Sequence, residues 1–231
     1  MSTDMTLTVY ENLEQGSSEW LEARRGIVTA SVIGQLITPS TVKVANNATS
    51  RSKIAELAAE RITGRVEETP TTWQMERGNE EEDRARDLYE QHYGPLDQVG
   101  FMVRDVDGIP LGFSPDGLSG DDGFVEFKSR SPKIHVQHVI SGEVPAENMA
   151  QVMTGLYVTG RSWCDYTSFS NGMAMWRTRV FPDSRWFTAI KEALHHAELA
   201  ILKIIAEYEE SVVGAPVAEY IDPFEDMEIQ V

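Results

Sequence analysis

Apolar residues fall at helical spacing in some stretches of this chain and alternate with polar ones in others, which divides it into elements. Ser18 to Arg25 reads as a short helix that stops at Gly26. Thr29-Ala30-Ser31 then precedes Val32, Ile33, Leu36 and Ile37, the start of a second helix with a hydroxyl cap that Pro39 ends. The polar stretch through Ser50 reads as a loop, and Ser52 to Thr63 as a helix with Ile54, Leu57, Ala58 and Ile62 on one face. Asn79 to His92 is a very polar helix with an apolar stripe of Ala85, Leu88 and Tyr89. After Gly94-Pro95 the pattern changes to short strands at Gly100–Arg104, Leu111–Ser114 and Val125–Lys128, with Asp-Gly turns at Asp107 and Asp122. Ala146 to Val158 returns to helix, Cys164–Ser170 and Met175–Phe181 read as strands, and Ser184–Glu210 as a long helix. Helices on both sides of a central mixed sheet make an α/β or α+β fold. Residues 1–213 are expected to form a single domain, and the acidic segment 214–231 a poorly ordered tail.

Composition adds limits. With 41% hydrophobic and 25% charged residues, the chain has the make-up of a soluble globular protein. It has neither an apolar run long enough for a bilayer nor the basic and apolar regions of a secretory signal. Cys164 is the only cysteine, which rules out an internal disulfide and a CxxC metal site and points to the cytoplasm. The net charge of -17 weighs against a polyanionic partner, but it is unevenly spread. Arg24 to Arg65 holds seven basic and two acidic residues, so one segment of an acidic protein is suited to phosphate.

Two local patterns carry chemistry: Phe113-Ser114-Pro115-Asp116-Gly117 and Val125-Glu126-Phe127-Lys128. Alternation along a strand puts Glu126 and Lys128 on one face and Val125 and Phe127 on the other. The segment between the motifs, with Gly120, Asp121, Asp122 and Gly123, fits a hairpin that brings Asp116 beside Glu126. Two carboxylates suit Mg²⁺, a hard cation preferring oxygen ligands, with Mn²⁺ as a substitute. Such a metal activates water, and Lys128 would orient that water and steady a phosphoryl transition state. The backbone carbonyl of Phe127 lies between the ligands and is a further candidate. Taken alone, this spacing is equally that of an exposed hairpin with a Glu126–Lys128 salt bridge.

The flanking segments narrow the choice. Ser114-Pro115-Asp116-Gly117 followed by Glu126-Phe127-Lys128 resembles the PD-(D/E)xK core of restriction-endonuclease-like proteins. Glu14-Gln15-Gly16 with Trp20, then Arg24-Arg25-Gly26-Ile27-Val28-Thr29-Ala30-Ser31, resembles the N-terminal segment of the lambda exonuclease or YqaJ-like viral recombinase family. Gly78 with Glu82, Ala85, Arg86, Leu88 and Glu90 resembles its acidic helix, and Met149-Ala150-Gln151-Val152 its glutamine-bearing helix. These segments keep the family's order from about residue 14 to residue 160. The resemblance implies 5′-to-3′ digestion of one strand of linear duplex DNA, a ring-shaped homotrimer and a single-strand annealing protein as partner. It implies a phage or prophage protein acting in the bacterial cytoplasm. It assigns Asp116 and Glu126 to the metal, Lys128 to catalysis, and Glu82 and Gln151 to the active site. It assigns Arg24 and Ser31 to a 5′-terminal phosphate, which a guanidinium and a hydroxyl at a helix N-terminus are equipped to bind. Helical periodicity alone permits Glu81 as well as Glu82, and Arg25 could take the place of Arg24. In the 38–50 loop the family's phosphate-contacting lysine has only Lys43 as a candidate.

Other residues read as structural. His135 and His138 are expected at the surface, His195 and His196 on the last helix, and Trp163, Trp176 and Trp186 in the core or an interface. No Walker-type phosphate loop is present. Competing readings are an endonuclease on the same core and a non-catalytic DNA-binding recombination subunit. The end-binding residues weigh against the first, and an intact Asp116, Glu126 and Lys128 against the second.

Overall fold

The alternating segment after Gly100 folds into a hairpin. In the computed structural model, which describes residues 6–66 and 73–221, strands β5 (Phe101–Val106) and β6 (Ile109–Phe113) pair antiparallel with Val106 opposite Ile109. Asp107 and Gly108 alone make the turn, at φ 56° and 85°, as a two-residue hairpin loop of type I′ demands. Strand β1 (Leu7–Tyr10), which the hydrophobic pattern does not announce, pairs with β5, and β2 (Val28–Thr29) runs parallel to β6. These strands form a sheet of order β1-β5-β6-β2.

A second sheet also has four strands. It contains β7 (Gly117–Ser119), β8 (Gly123–Ser129), β9 (Trp163–Phe169) and β10 (Trp176–Val180). Strand β8 pairs antiparallel with β7 and parallel with β9, while β9 and β10 are antiparallel. The mixed character expected of the sheet therefore holds, but the strands are divided between two mixed sheets. In the β7–β8 turn the residue with positive φ is Gly120, at 53°, and Gly123 already lies in the strand. Glycine is needed at 123 for a different reason: a Cβ there would lie 2.2 Å from the Trp163 ring.

Helices cover the sheets: α1 (Ser18–Arg24), α2 (Ala30–Leu36), α3 (Ala48–Thr63), α4 (Trp73–Tyr93), α5 (Pro132–Ser141), α6 (Ala146–Thr159) and α7 (Ser184–Ser211). Several elements differ from the sequence reading, among them α4, which begins at Trp73 and not at Asn79. The 38–50 segment is not all loop, because β3 (Ile37–Thr38) and β4 (Lys43–Val44) form a small hairpin. Helix α3 then starts at Ala48 because Asn47 and Ser50 close a reciprocal capping box. Helix α5 was not anticipated; Pro132 opens it and Gly142, at φ 66°, closes it. His135 on α5 is buried, contrary to the expectation of a surface histidine. Its ring nitrogens are each 2.9 Å from a partner, Ser168 Oγ and the Ala174 carbonyl, which satisfies both.

Two clusters of buried side chains hold the layers together. The larger takes Ile33, Leu36 and Ile54 from α2 and α3, Leu111, Phe113 and Phe124 from the sheets, and Leu156, Ile190 and Leu194 from α6 and α7. The smaller joins Ala85 and Tyr89 of α4 to Val125, Phe127 and Phe169. Strand β8 thus sends Phe124 to one cluster and Val125 and Phe127 to the other, which buries the strand between them. Trp186 is buried and Trp163 and Trp176 are half-buried, in keeping with structural roles. Residues 214–221 are exposed and contain no helix or strand; the rest of the expected tail lies outside the described residues. Among the described residues no helix is long and apolar enough to cross a membrane.

Candidate active site

The burial of β8 encloses a carboxylate. Glu126 is 0% exposed. Its Oε1 lies 2.6 Å from Lys128 Nζ and accepts a second hydrogen bond, also 2.6 Å, from Gln151 Nε2 on α6. Its Oε2 is buried with no hydrogen-bond partner. Thr167 on the neighbouring strand donates to the Glu126 carbonyl at 3.1 Å and steadies the backbone. Gly117 is paired with Val125, so the preceding residue, Asp116, comes to lie beside the next stretch of β8. There Asp116 Oδ2 accepts from the Phe127 N–H at 2.6 Å. The N–H and C=O of one strand residue point to the same edge, so the Phe127 carbonyl opens on the side where Asp116 sits.

The hairpin expected from sequence thus does unite Asp116, Glu126 and Lys128. Burial raises the Asp116 carboxyl well above its ordinary range, and the charges of Glu126 and Glu82 raise it further, against Lys128 and the Phe127 N–H. Burial also opposes the charge on Lys128, but Glu126 and Asp116 outweigh it and hold the ammonium above the usual lysine range. On α4, Glu82 accepts from Arg86 at 3.0 Å. Its carboxyl is raised by burial, pulled back by Arg86 and pushed up again by Glu126. Glu81 on the same helix accepts from the Ser129 hydroxyl. Both glutamates therefore border β8, but it is Glu82 whose charge is felt by Asp116. Among the described residues no three His, Cys, Asp or Glu side chains are grouped so that they could hold a metal ion together.

A pocket of about 150 Å³ opens on this site, lined by Gln15, Trp20, Arg24, Thr29, Ala30, Ser31, Phe113, Ser114, Asp116 and Gln151. Arg24 at the end of α1 lies 3.8 Å over the Trp20 ring and reaches Thr29 Oγ1 at 3.4 Å and Ser31 Oγ at 3.3 Å. Burial lowers the Arg24 pKa to about 10, with Glu60 opposing the shift, so the guanidinium stays charged at neutral pH. Thr29 makes no capping bond to α2, and its hydroxyl is 3.0 Å from that of Ser31 instead. An arginine N–H only donates, so Arg24 is the donor to both hydroxyls. Trp20 Nε1 donates to Ser114 Oγ at 3.0 Å, so the Ser114 proton is left to point elsewhere. The wall around Arg24 is thus rich in donors. Lys43 is exposed on β4 and does not line this pocket.

Thr29 and Ser114 join the pocket although the sequence reading gave them no role. Both sit inside segments already singled out, and only the fold shows that these segments face one another. Gln15 and Trp20 likewise acquire positions: Gln15 Nε2 reaches the Pro115 carbonyl at 3.3 Å and ties the N-terminal segment to the Asp116 turn.

Fold and site together define a nuclease of the PD-(D/E)xK kind. The YqaJ-like viral recombinase domain matches residues 19–162, and the chain belongs to that family. The crystal structure of an alkaline exonuclease, LHK-Exo of Laribacter hongkongensis, is similar at a TM-score of 0.74 and 28% identity, over 87% of this chain and 100% of that one. The same protein in complex with dAMP gives 0.76 at 28% identity over the same shares. A phage-related exonuclease of Haemophilus somnus 129PT shares the fold, with a TM-score of 0.60 at 14% identity over 79% of this chain and 96% of that one. No curated protein matches the sequence.

Proposed function

We propose that the protein is a Mg²⁺-dependent 5′-to-3′ exonuclease that degrades one strand of linear double-stranded DNA and leaves a 3′ single strand for homologous recombination. The observation that carries this reading is that Arg24, Ser31 and Asp116 line one pocket. A cationic, donor-rich grip beside a carboxylate pair suits a strand held by its terminal phosphate, with an inner phosphodiester presented to Asp116 and Glu126. Hydrolysis of that diester breaks the bond from phosphorus to the 3′ oxygen and releases a mononucleotide. It leaves a new 5′ phosphate on the strand, which is again a ligand for the grip.

The donor set fits Mg²⁺, or Mn²⁺ in its place. Glu126 Oε2 is a buried acceptor without a donor, and Asp116 is a carboxyl whose charge is opposed by burial and by Glu126. Both are relieved by a cation. Asp116, Glu126 and the Phe127 carbonyl would hold it, and when bound it supplies Lewis acidity to water and phosphate. Gln151 and Lys128 fix the Glu126 carboxylate through Oε1. Lys128 also places a positive charge where the attacking water and the phosphate oxygens meet. Glu82 adds negative charge behind the pair. Membership of a viral recombinase family supports a phage or prophage setting in the bacterial cytoplasm, a single-strand annealing protein as partner and a homotrimeric ring. Light scattering and co-purification would test the last two.

With Mg²⁺, linear 5′-phosphorylated duplex is expected to yield mononucleotides and single strands while closed circles survive. Cutting of closed circles would put an endonuclease in place of this reading, and DNA binding without cleavage would mean a non-catalytic subunit. Arg24→Ala is expected to slow phosphorylated ends about tenfold or more, the scale of one lost charge-assisted hydrogen bond, and hydroxyl ends far less. Equal losses on both ends would remove Arg24 from phosphate recognition.

A further inference from the structure

The grip on the DNA end is made from two segments, Arg24 on α1 and Thr29 with Ser31 at the start of α2. The chain reverses between them at Gly26, which has φ 63°. Consecutive residues of α3 hold this turn on both sides. Glu60 Oε2 accepts from the Gly26 N–H at 2.6 Å, and Arg61 Nε donates to the Gly26 carbonyl at 2.8 Å. Arg61 is fixed in turn by Glu198 of α7, through two parallel bonds of 2.7 Å from its guanidinium nitrogens. The fit is close, since a Cβ on Gly26 would lie 2.5 Å from Arg61 Cγ. Glu60 has a second effect, because its charge acts on Arg24 and opposes the loss of proton affinity that burial causes.

We propose that Arg61, braced by Glu198, is a positioning residue for recognition of the 5′ end. It holds the Gly26 turn so that Arg24 and Ser31 face the same phosphate, and it touches no substrate itself. The bidentate fork is what this role needs. An arginine bonded to a carboxylate through both terminal nitrogens is fixed in plane, and its Nε–H is aimed at one point. Lysine carries the charge without that geometry. The Glu198–Arg61 pair thereby transmits the placement of the C-terminal helix to a pocket it does not line. This inference rests on the reading of the pocket as a phosphate grip and adds the device that sets its selectivity.

The measurement is the ratio of kcat/KM on 5′-phosphorylated to 5′-hydroxyl linear duplex, taken for wild type, Arg61→Lys and Glu198→Gln. Wild type is expected to prefer the phosphate. Arg61→Lys is expected to lower that preference about tenfold, as loss of an aligned charge-assisted bond does, with cleavage of hydroxyl ends within about twofold of wild type. Glu198→Gln keeps one acceptor for Arg61 and is expected to fall between the two. A purely structural role would lower both activities together, so an unchanged ratio in both variants overturns the proposal. If Arg61→Lys does not fold, the ratio in Glu198→Gln decides alone. A wild type without phosphate preference would instead overturn the end-grip reading itself, so the two failures are told apart.

Discussion

Both hydrogen bonds to the Glu126 carboxylate fall on Oε1, from Lys128 and from Gln151, while Oε2 faces no donor. The two oxygens are therefore unequal, one fixed by the protein and the other buried without a donor, as the proposed cation site requires. Lys128→Ala is expected to lower the rate on linear duplex by about 10²–10⁴-fold while leaving DNA binding nearly intact, since in the proposed mechanism it removes the group that acts on the reacting water. A wild-type rate in that variant would exclude it from the mechanism. The same site predicts a pH effect. Asp116 and Glu82 have carboxyls raised above their ordinary values of 3.8 and 4.5. Such a group binds its proton more tightly when folded, so its cost to stability is absent below the ordinary value and grows as pH climbs towards the raised one. Asp165, buried between Tyr89, Arg177 and Arg179, is shifted the opposite way because its hydrogen bonds outweigh burial. The Mg²⁺-dependent difference in melting temperature isolates the site from such groups. It is expected to grow as pH rises above the ordinary carboxylate range, because the raised carboxyls lose their protons only there. A difference independent of pH would contradict the cation site. Of these residues, alternation along β8 made Glu126 and Lys128 legible in the sequence. Nothing local announced Asp165, whose partners are far away in the chain.

Helix α6 lies close to the sheets because Gly155 has no side chain there. A Cβ would meet Phe124 at 2.6 Å and Phe113 at 2.8 Å, and Gln151 sits one turn before it. Gly155→Ala is expected to destabilise the protein by about 1–3 kcal/mol, as overpacking of a buried contact does, and to slow cleavage by moving Gln151 away from Glu126. Urea melts together with rates on linear duplex check both; an unchanged melt would mean that the helix shifts freely. Asn47→Ala is expected to cost about 1 kcal/mol of stability without affecting the preference for phosphorylated ends, because it opens a cap remote from the pocket. Long periodic elements such as α7 and the β5–β6 hairpin could be read from pattern because helical spacing or an Asp-Gly turn marks them. Helix α5 could not, since Ile134, Val136, Val139 and Ile140 are exposed and break the amphipathic signal. Strand β1 is short and mostly exposed, and tertiary pairing rather than local preference makes it a strand.

Across the whole molecule, a net charge of -17 leaves the arginine-bearing pocket as a local exception. Binding of linear duplex is expected to weaken with salt. In Arg24→Ala the log–log slope is expected to be shallower by about 0.9, the share of one neutralised phosphate. An unchanged slope would mean that Arg24 meets no phosphate. The overall fold class was legible in the order of helices and strands, but the division into two sheets was not, because strand order depends on long-range pairing.

That pairing has a consequence for how the molecule comes into being. Strand β8 carries Glu126 and Lys128, and its parallel neighbour β9 reaches it only after α5 and α6 have crossed over. No tight turn joins parallel strands, so the ladder waits until Phe169 has left the ribosome. A nascent chain holding every one of the proposed catalytic residues still lacks the platform on which Glu126 and Gln151 meet. The matched family region ends at residue 162, one residue before β9 begins, and a fragment ending there is expected to be inert. Cleavage is thus expected only from a chain long enough to bring β9 against the strand that carries the site.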